Sequence, residues 1–166
     1  MIFPPLPDNE RERLMLLEGT GLLAMRSDAY LAALAKVIAR SFRVPMAAVT
    51  LIGSDVQVLV GEFGFPTATT ARSCSFCAHL LCLPSLLLVD DARLDERFCR
   101  NPLVLGPPFI RFYAGTPIHL RGIAVGALCL MDRRPARPFE ANDQRLLSGA
   151  AMAVEERLIQ MVQMAG

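Results

Sequence analysis

Two turn signals set inside apolar, β-rich runs constrain this chain more than anything else in it. Met46–Ile52 and Val56–Phe63 flank Gly53-Ser54-Asp55, and Ile110–Thr116 leads to Gly122–Met131 through Leu120-Arg121-Gly122. Glycine and small polar residues between two extended runs mark hairpins, and strands joined by hairpins pair antiparallel. A further short strand, Leu86–Val89, ends at Asp90-Asp91. In the last strand Ile123, Val125, Ala127, Cys129 and Met131 are expected on one face, following the two-residue period.

The flanks read as helix. Pro4, Pro5 and Pro7 form a stiff lead-in, and Asp8 is placed to cap a helix from Asn9–Glu10 to Thr20–Gly21. Ser27 or Asp28 caps a second helix, Tyr30 to Phe42, with Leu31, Leu34, Val37 and Ile38 at helical spacing. Between the strands, a short helix is expected near Phe76–Leu81. The charged, Pro- and Gly-rich stretch from Asp91 to Pro108 reads as a long crossing loop with one helical turn near Asp95–Cys99.

A final helix runs from Asn142 to Met164. Leu147, Ala151, Val154, Leu158, Met161 and Ala165 recur at four- and three-residue steps, the a/d spacing of a coiled-coil seam. Leu146, Ala150 and Ala153 form a stripe beside it. One stripe can cover the sheet while the other meets a partner helix. Ala151, Val154, Leu158 and Met161 are expected to form an intermolecular seam; the alternative is one wide buried face. The expected architecture is a single α+β domain over 1–166. It has a central antiparallel sheet, N- and C-terminal helices on one face, and the crossing loop over a pocket on the other.

Composition excludes several partners. Hydrophobic residues make up 53% of the chain and mean hydropathy is +0.39, yet no apolar stretch approaches the roughly 18–20 residues of a membrane span. The net charge of +1 supplies no drive toward nucleic acid or anionic lipid. Five cysteines behind an N-terminus without signal-peptide character point to free thiols in a reducing, cytoplasmic setting.

Cys74, Cys77, His79 and Cys82 are the sharpest chemical cluster. Their softness would suit zinc, but in a helix Cys77 and His79 point about 160° apart. Structural packing and redox sensing are the competing readings of these thiols, and packing is the one expected here. Arg111 and Tyr113 alternate on one strand face, opposite Ile110 and Phe112. Either can read a ligand, the first by bidentate pairing and the second by ring and hydroxyl. Alternatively, Arg111 pairs with Asp90, Asp91 or Asp95 and holds the crossing loop down. Phe98, Leu103, Val104 and Leu105 are expected to line an apolar cavity under that loop.

These residues also carry a family likeness. Ser75-Phe76-Cys77-Ala78-His79, Asp95-Glu96-Arg97-Phe98, Asn101-Pro102-Leu103-Val104, Gly106-Pro107-Pro108, Ile110-Arg111-Phe112-Tyr113-Ala114-Gly115 and Gly126-Ala127-Leu128-Cys129-Leu130-Met131-Asp132 occur in that order. Together they resemble a GAF domain of the bacterial sensor-kinase and cyclic-dinucleotide signalling subgroup. The resemblance implies a sensory module that binds an unidentified small molecule, pairs through its terminal helices as a homodimer, and signals to a kinase or cyclase partner. The ligand-binding candidates are Cys77, His79, Asp91, Phe98, Asn101, Arg111, Tyr113 and Cys129. No catalytic or metal-binding residue is implied, and no cofactor is named by the sequence. The Cys-His dipeptide of bilin-binding relatives is absent, since Ala78 separates Cys77 from His79. The Asn-Lys signature of cyclic-nucleotide binders is absent too, since the sole lysine, Lys36, follows Ala35. The enzymatic alternative is a thiol-dependent reductase of the free methionine sulfoxide type, drawing on Cys74, Cys77, Cys82 or Cys99.

Overall fold

The computed structural model describes residues 1–25, 27–135 and 138–165. Both expected hairpins are present. The first joins β1 (Met46–Ile52) to β2 (Val56–Phe63), with the Gly53 N–H donating to Val56 O at 2.8 Å. Beyond it lie β3 (Thr69–Ala71) and β4 (Leu87–Val89). The second hairpin joins β5 (Phe112–Leu120) to β6 (Ile123–Asp132). Its two connecting residues, Arg121 and Gly122, both take positive φ (53° and 79°), which matches the strand twist in tight hairpins. The six strands form one sheet in the order β3-β2-β1-β6-β5-β4, antiparallel throughout. β3 escapes a sequence reading because it has three residues and no alternation long enough to see.

β1 is buried along its whole length. Ala47, Val49 and Leu51 face a layer of helices, while Met46, Ala48 and Ile52 face the side covered by loops and short helices. The helix layer contains α1 (Glu10–Thr20), α2 (Ala29–Ser41) and the long α5 (Ala141–Ala165). The other side is closed by α3 (Phe76–His79), α4 (Pro102–Leu105) and the crossing loop. Asp28, rather than Ser27, caps α2 by accepting from the Leu31 N–H at 3.0 Å. The same carboxylate accepts from Arg157 of α5 at 2.7 Å, tying the two helices together. The helical turn expected at Asp95–Cys99 is a run of hydrogen-bonded turns instead, and the helix forms one step later behind the Asn101 cap.

The strict alternation expected of the last strand does not hold. Ile118 pairs with Gly126 but His119 pairs with Ala124, which leaves Val125 as the extra residue of a β-bulge. Val125 therefore faces the helices, while Ala127, Cys129 and Met131 face the other side. Gly126 is required here, because a Cβ would lie 1.8 Å from Thr50 O.

The proposed seam of α5 is also corrected. Leu147, Ala151, Val154 and Leu158 are buried against the sheet, and Met161 packs half-buried beside them. The side chain of Ala165 lies outside the described residues. A stripe repeating every three and four residues is equally what a helix needs to cover a sheet, and the sheet claims it. Leu146, Met152 and Ile159 remain on the outer side, 55%, 63% and 42% exposed.

α1 is held by charge as well as by Leu17. Arg13, fully buried, donates to Ile52 O and to both Glu10 oxygens at 2.8 Å. Arg72 reaches the same carboxylate at 2.5 Å and Gly53 O at 3.0 Å. Helix and first hairpin thus share one acid. Burial pushes the Glu10 carboxyl up, but Arg13 and Arg72 outweigh it and hold it at about 2, against an ordinary 4.5.

Two outcomes follow from this packing. Leu158→Ala should cost about 2–5 kcal/mol of unfolding free energy in a urea titration, whereas Met152→Ala should cost under about 0.5 kcal/mol. A folded Glu10 whose pKa is depressed contributes stability above pH 4.5 and loses it as pH falls toward 2. Glu10→Gln should therefore flatten the stability–pH profile across that window and lower stability at neutral pH; equal pH slopes for the two proteins would contradict the assignment.

Candidate functional site

The sheet side away from the long helices holds a small cavity. Its floor is Ala48 and Thr50 of β1, Gln57 and Leu59 of β2, Tyr113 of β5, and Cys129 and Met131 of β6. Phe65, Phe76, Cys77, Leu103 and Ile110 close it from above. The volume is about 10 Å³, room for roughly one water molecule. In this structure the chain's own side chains fill most of the space between sheet and roof.

The walls are apolar with a few polar groups set into them. Ser75 caps α3 by accepting from the Ala78 N–H at 2.9 Å, and its hydroxyl donates to Gln57 Oε1 at 2.5 Å. Gln57 Nε2 in turn donates to Thr70 Oγ1 at 2.9 Å, so β2, β3 and α3 are joined by one chain of hydrogen bonds. The fully buried Tyr113 hydroxyl donates to Cys77 Sγ at 3.2 Å, and Cys77 Sγ lies 3.6 Å from Cys129 Sγ. Burial, followed by the adjacent thiols, pushes the Tyr113 phenol well up, keeping it a neutral donor. Gly115 makes room for that hydroxyl: a Cβ there would lie 2.3 Å from Tyr113 Oη.

Of the eight residues selected from sequence, three line the cavity: Cys77, Tyr113 and Cys129. Phe98 is wholly buried behind it, stacked on Phe76 with ring centroids 4.0 Å apart. His79 sets its ring edge-on to Phe98 at 4.9 Å. Burial, and then the charge of Arg97, push its imidazole down to about 4, so it is neutral at physiological pH. Asn101 caps α4 through the Leu103 N–H at 2.9 Å and donates to Cys74 O at 2.9 Å, pinning the crossing loop to the segment before α3.

Asp91 and Arg111, also selected as ligand contacts, do not line the cavity. Arg111 forms a forked pair with Asp91, 2.7 Å from Nε to Oδ1, and this pairing holds the Asp91 carboxyl below its ordinary range. The guanidinium is spent on the loop. Ile110 rather than Arg111 turns toward the cavity, because β5 starts only at Phe112 and the alternation does not extend back through the turn. Leu105 is 63% exposed and Val104 is buried in the core behind, so Leu103 alone of that trio lines the space.

Thr50, Gln57 and Gly115 were missed as site residues. The signal was present: Thr50 and Gln57 are polar interruptions in otherwise apolar β runs, where a buried polar group needs a reason. The crossing loop has a further attachment. Ile2 N–H donates to Arg97 O at 3.0 Å, so the proline-rich lead-in joins the loop to α1. Among the described residues, no group of three or more His, Cys, Asp or Glu side chains is placed to hold a metal ion. No described helix is long and apolar enough to cross a membrane.

A six-stranded antiparallel sheet with long helices on one face and a loop-roofed cavity on the other defines an α+β domain whose candidate site lies on the loop side. The GAF domain family model matches residues 27–158, and this chain belongs to that family. Over 159 residues, 95% of the chain, it is 33% identical to a cyclic di-GMP phosphodiesterase of Pseudomonas aeruginosa; it spans 27% of that protein's length. Solved structures share the fold at lower identity. The free methionine-R-sulfoxide reductase of Neisseria meningitidis superposes with a TM-score of 0.67 at 19% identity, covering 100% of this chain and 99% of that one. The PixJ GAF domain of Thermosynechococcus elongatus gives 0.61 at 16%, covering 92% and 94%.

The fit of Tyr113 over Gly115 generates a test. Gly115→Ala should lower unfolding free energy by about 1–3 kcal/mol through overpacking. Tyr113→Phe removes the atom nearest the new methyl group, so the double variant should lose less than the sum of the two single changes. Strict additivity in urea titrations would show that the two positions do not meet.

Proposed function

We propose that this chain is a regulatory GAF domain that senses a small molecule at the cavity beneath its crossing loop and acts on a signalling enzyme. The observation that supports this is the Tyr113 hydroxyl. It is wholly buried at the cavity floor, and its partner is a thiol, a weak acceptor that leaves a strong donor under-used. With Thr50 and Gln57 it gives an apolar cavity a few convergent polar groups, the usual makeup of a small-ligand site. A cavity of about 10 Å³ admits nothing larger than water, so binding requires Phe76, Leu103 and Ile110 to withdraw. The crossing loop is the part able to do so. Its polar ties to the rest of the chain, among them Asp91–Arg111, Asn101 to Cys74 O, Ile2 N–H to Arg97 O and Arg133 Nε to Pro108 O, lie outside the cavity.

The output we assign is a cyclic-dinucleotide enzyme, in keeping with the identity to part of such a phosphodiesterase. This chain supplies regulation rather than hydrolysis. The second element of the reading is a homodimer through the terminal helices, now on the outward Met152 and Ile159 of α5 rather than on the inward stripe. Free thiols at all five cysteines suit a cytoplasmic setting. The reductase reading needs a thiol within reach of a whole amino-acid substrate, and Cys77 and Cys129 are 3% and 1% exposed.

The test combines native mass spectrometry with a thermal-shift screen of small anionic and heterocyclic metabolites. Freshly purified protein should run as a dimer and, for at least one compound at a hundred times its dissociation constant, gain about 2.7 kcal/mol of stability. Tyr113→Phe should reduce that gain. A flat screen would overturn ligand sensing, a monomer at tens of micromolar would overturn the dimer, and turnover of free methionine sulfoxide would favour the reductase.

A further inference from the structure

Cys77 and Cys129 are far apart in sequence, one on the single-turn helix α3 above the cavity and the other on β6 at its floor. Their sulfurs are 3.6 Å apart and both side chains are buried. A disulfide requires about 2.05 Å between sulfurs, so closing the pair takes a movement smaller than an ordinary rotamer adjustment. The cavity lined by both residues supplies the slack. We infer that Cys77 and Cys129 are a peroxide-reactive pair, forming an internal disulfide that clamps the roof of the cavity to the sheet.

The surroundings distinguish the roles of the two sulfurs. The Tyr113 hydroxyl points at Cys77 Sγ from 3.2 Å. Burial pushes the Cys77 thiol up, but its contacts with Cys129, Thr50 and Tyr113 outweigh burial and bring it below its ordinary value. Cys129 is pushed well up, by its bond to Cys77 and by burial, and its own S–H has Ala48 O at 3.6 Å. The Tyr113 hydroxyl, a donor aimed at Cys77 Sγ and placed to stabilise negative charge there, makes Cys77 the attacking thiolate and Cys129 the resolving thiol.

The chemistry balances with a hydroperoxide as oxidant. The Cys77 thiolate attacks one peroxide oxygen, the O–O bond breaks, and water leaves as the first product, with Cys77 as sulfenic acid. Cys129 sulfur then attacks Cys77 sulfur, the S–O bond breaks, and the second water departs. Two thiols lose two electrons and two hydrogens, and one hydrogen peroxide becomes two waters. Hydrogen peroxide is the smallest hydroperoxide, so the least withdrawal of the roof from this water-sized cavity admits it while larger oxidants stay excluded. Cys74, Cys82 and Cys99 lie nearer the surface and have no such partner sulfur among the described residues.

This inference does not depend on a ligand: a flat metabolite screen leaves it standing. The experiment treats a variant carrying Cys74→Ser, Cys82→Ser and Cys99→Ser with hydrogen peroxide and follows it by intact mass and non-reducing peptide mapping. If that variant does not fold, the natural chain is used after its surface thiols are alkylated under native conditions. The expected product is a Cys77–Cys129 linkage, lower in mass by two hydrogens and reversed by dithiothreitol. Tyr113→Phe, which keeps both thiols, should slow its formation several-fold. With Cys129→Ser, dimedone should capture a sulfenic acid at Cys77. The inference is overturned if both thiols stay reduced in the folded protein while free glutathione in the same tube is oxidised, or if linkage appears only in urea.

Discussion

A sheet whose central strand is apolar on both faces has to be covered twice, and everything else in this molecule follows from how the two covers differ. β1 presents Ala47, Val49 and Leu51 to one side and Met46, Ala48 and Ile52 to the other. On the first side, long helices supply large continuous apolar stripes, and Leu17, Leu31, Val154 and Leu158 disappear from solvent. On the second side the cover is assembled from single helical turns and loop. It therefore relies on caps, at Ser75 and Asn101, and on aromatic stacking of Phe76 with Phe98. One cover is cooperative and continuous. The other is pieced together and held by a few specific contacts, which is the expected composition of a region that opens below the global unfolding free energy.

The same division explains what could be read from the sequence. The hairpins were legible because turn chemistry is local: Gly53 and Gly122 announce themselves beside their strands. The helices were legible because their periodicity is long. What α5 would bury its stripe against was not, since an a/d repeat fits a sheet as well as a partner helix, and only the three-dimensional arrangement decides. β3 was hidden by its brevity. Cys77, Tyr113 and Cys129 were identified as site residues, but nothing local could show that the two sulfurs meet. Of the two readings of Arg111, the structure shows the pair with Asp91 that holds the crossing loop. Its side chain lies outside the cavity because the alternation of β5 does not extend back past Phe112. The buried ion cluster of Glu10, Arg13 and Arg72 was missed because its members lie 62 residues apart at the extremes, and an acid in a first helical turn already has an ordinary explanation.

The cavity is defined as much by hydrogen-bond economy as by shape. Gln57 has partners on both ends of its amide, in Ser75 and Thr70, and is a structural brace. Tyr113 is different: its hydroxyl has only sulfur nearby, and Gly115 is kept bare beneath it. A strong donor aimed at a weak, oxidisable acceptor is a stable arrangement in the closed, reduced state. It is also one that a better acceptor, whether a ligand oxygen or a thiolate, would improve.

Val125, the extra residue of the β6 bulge, works as a phase shift in the strand. Upstream of it the odd-numbered residues look toward the helices; downstream the odd-numbered residues Ala127, Cys129 and Met131 look toward the cavity. The identity of the cavity floor is therefore encoded in a count rather than in any one side chain. Losing Val125 would restore regular pairing with Gly126 still opposite Ile118, and would leave Ala127, Cys129 and Met131 on the cavity side. Substitution can adjust this floor by degrees, but a one-residue change in length beyond the bulge, among the paired residues of β6, would turn the other face's side chains toward it.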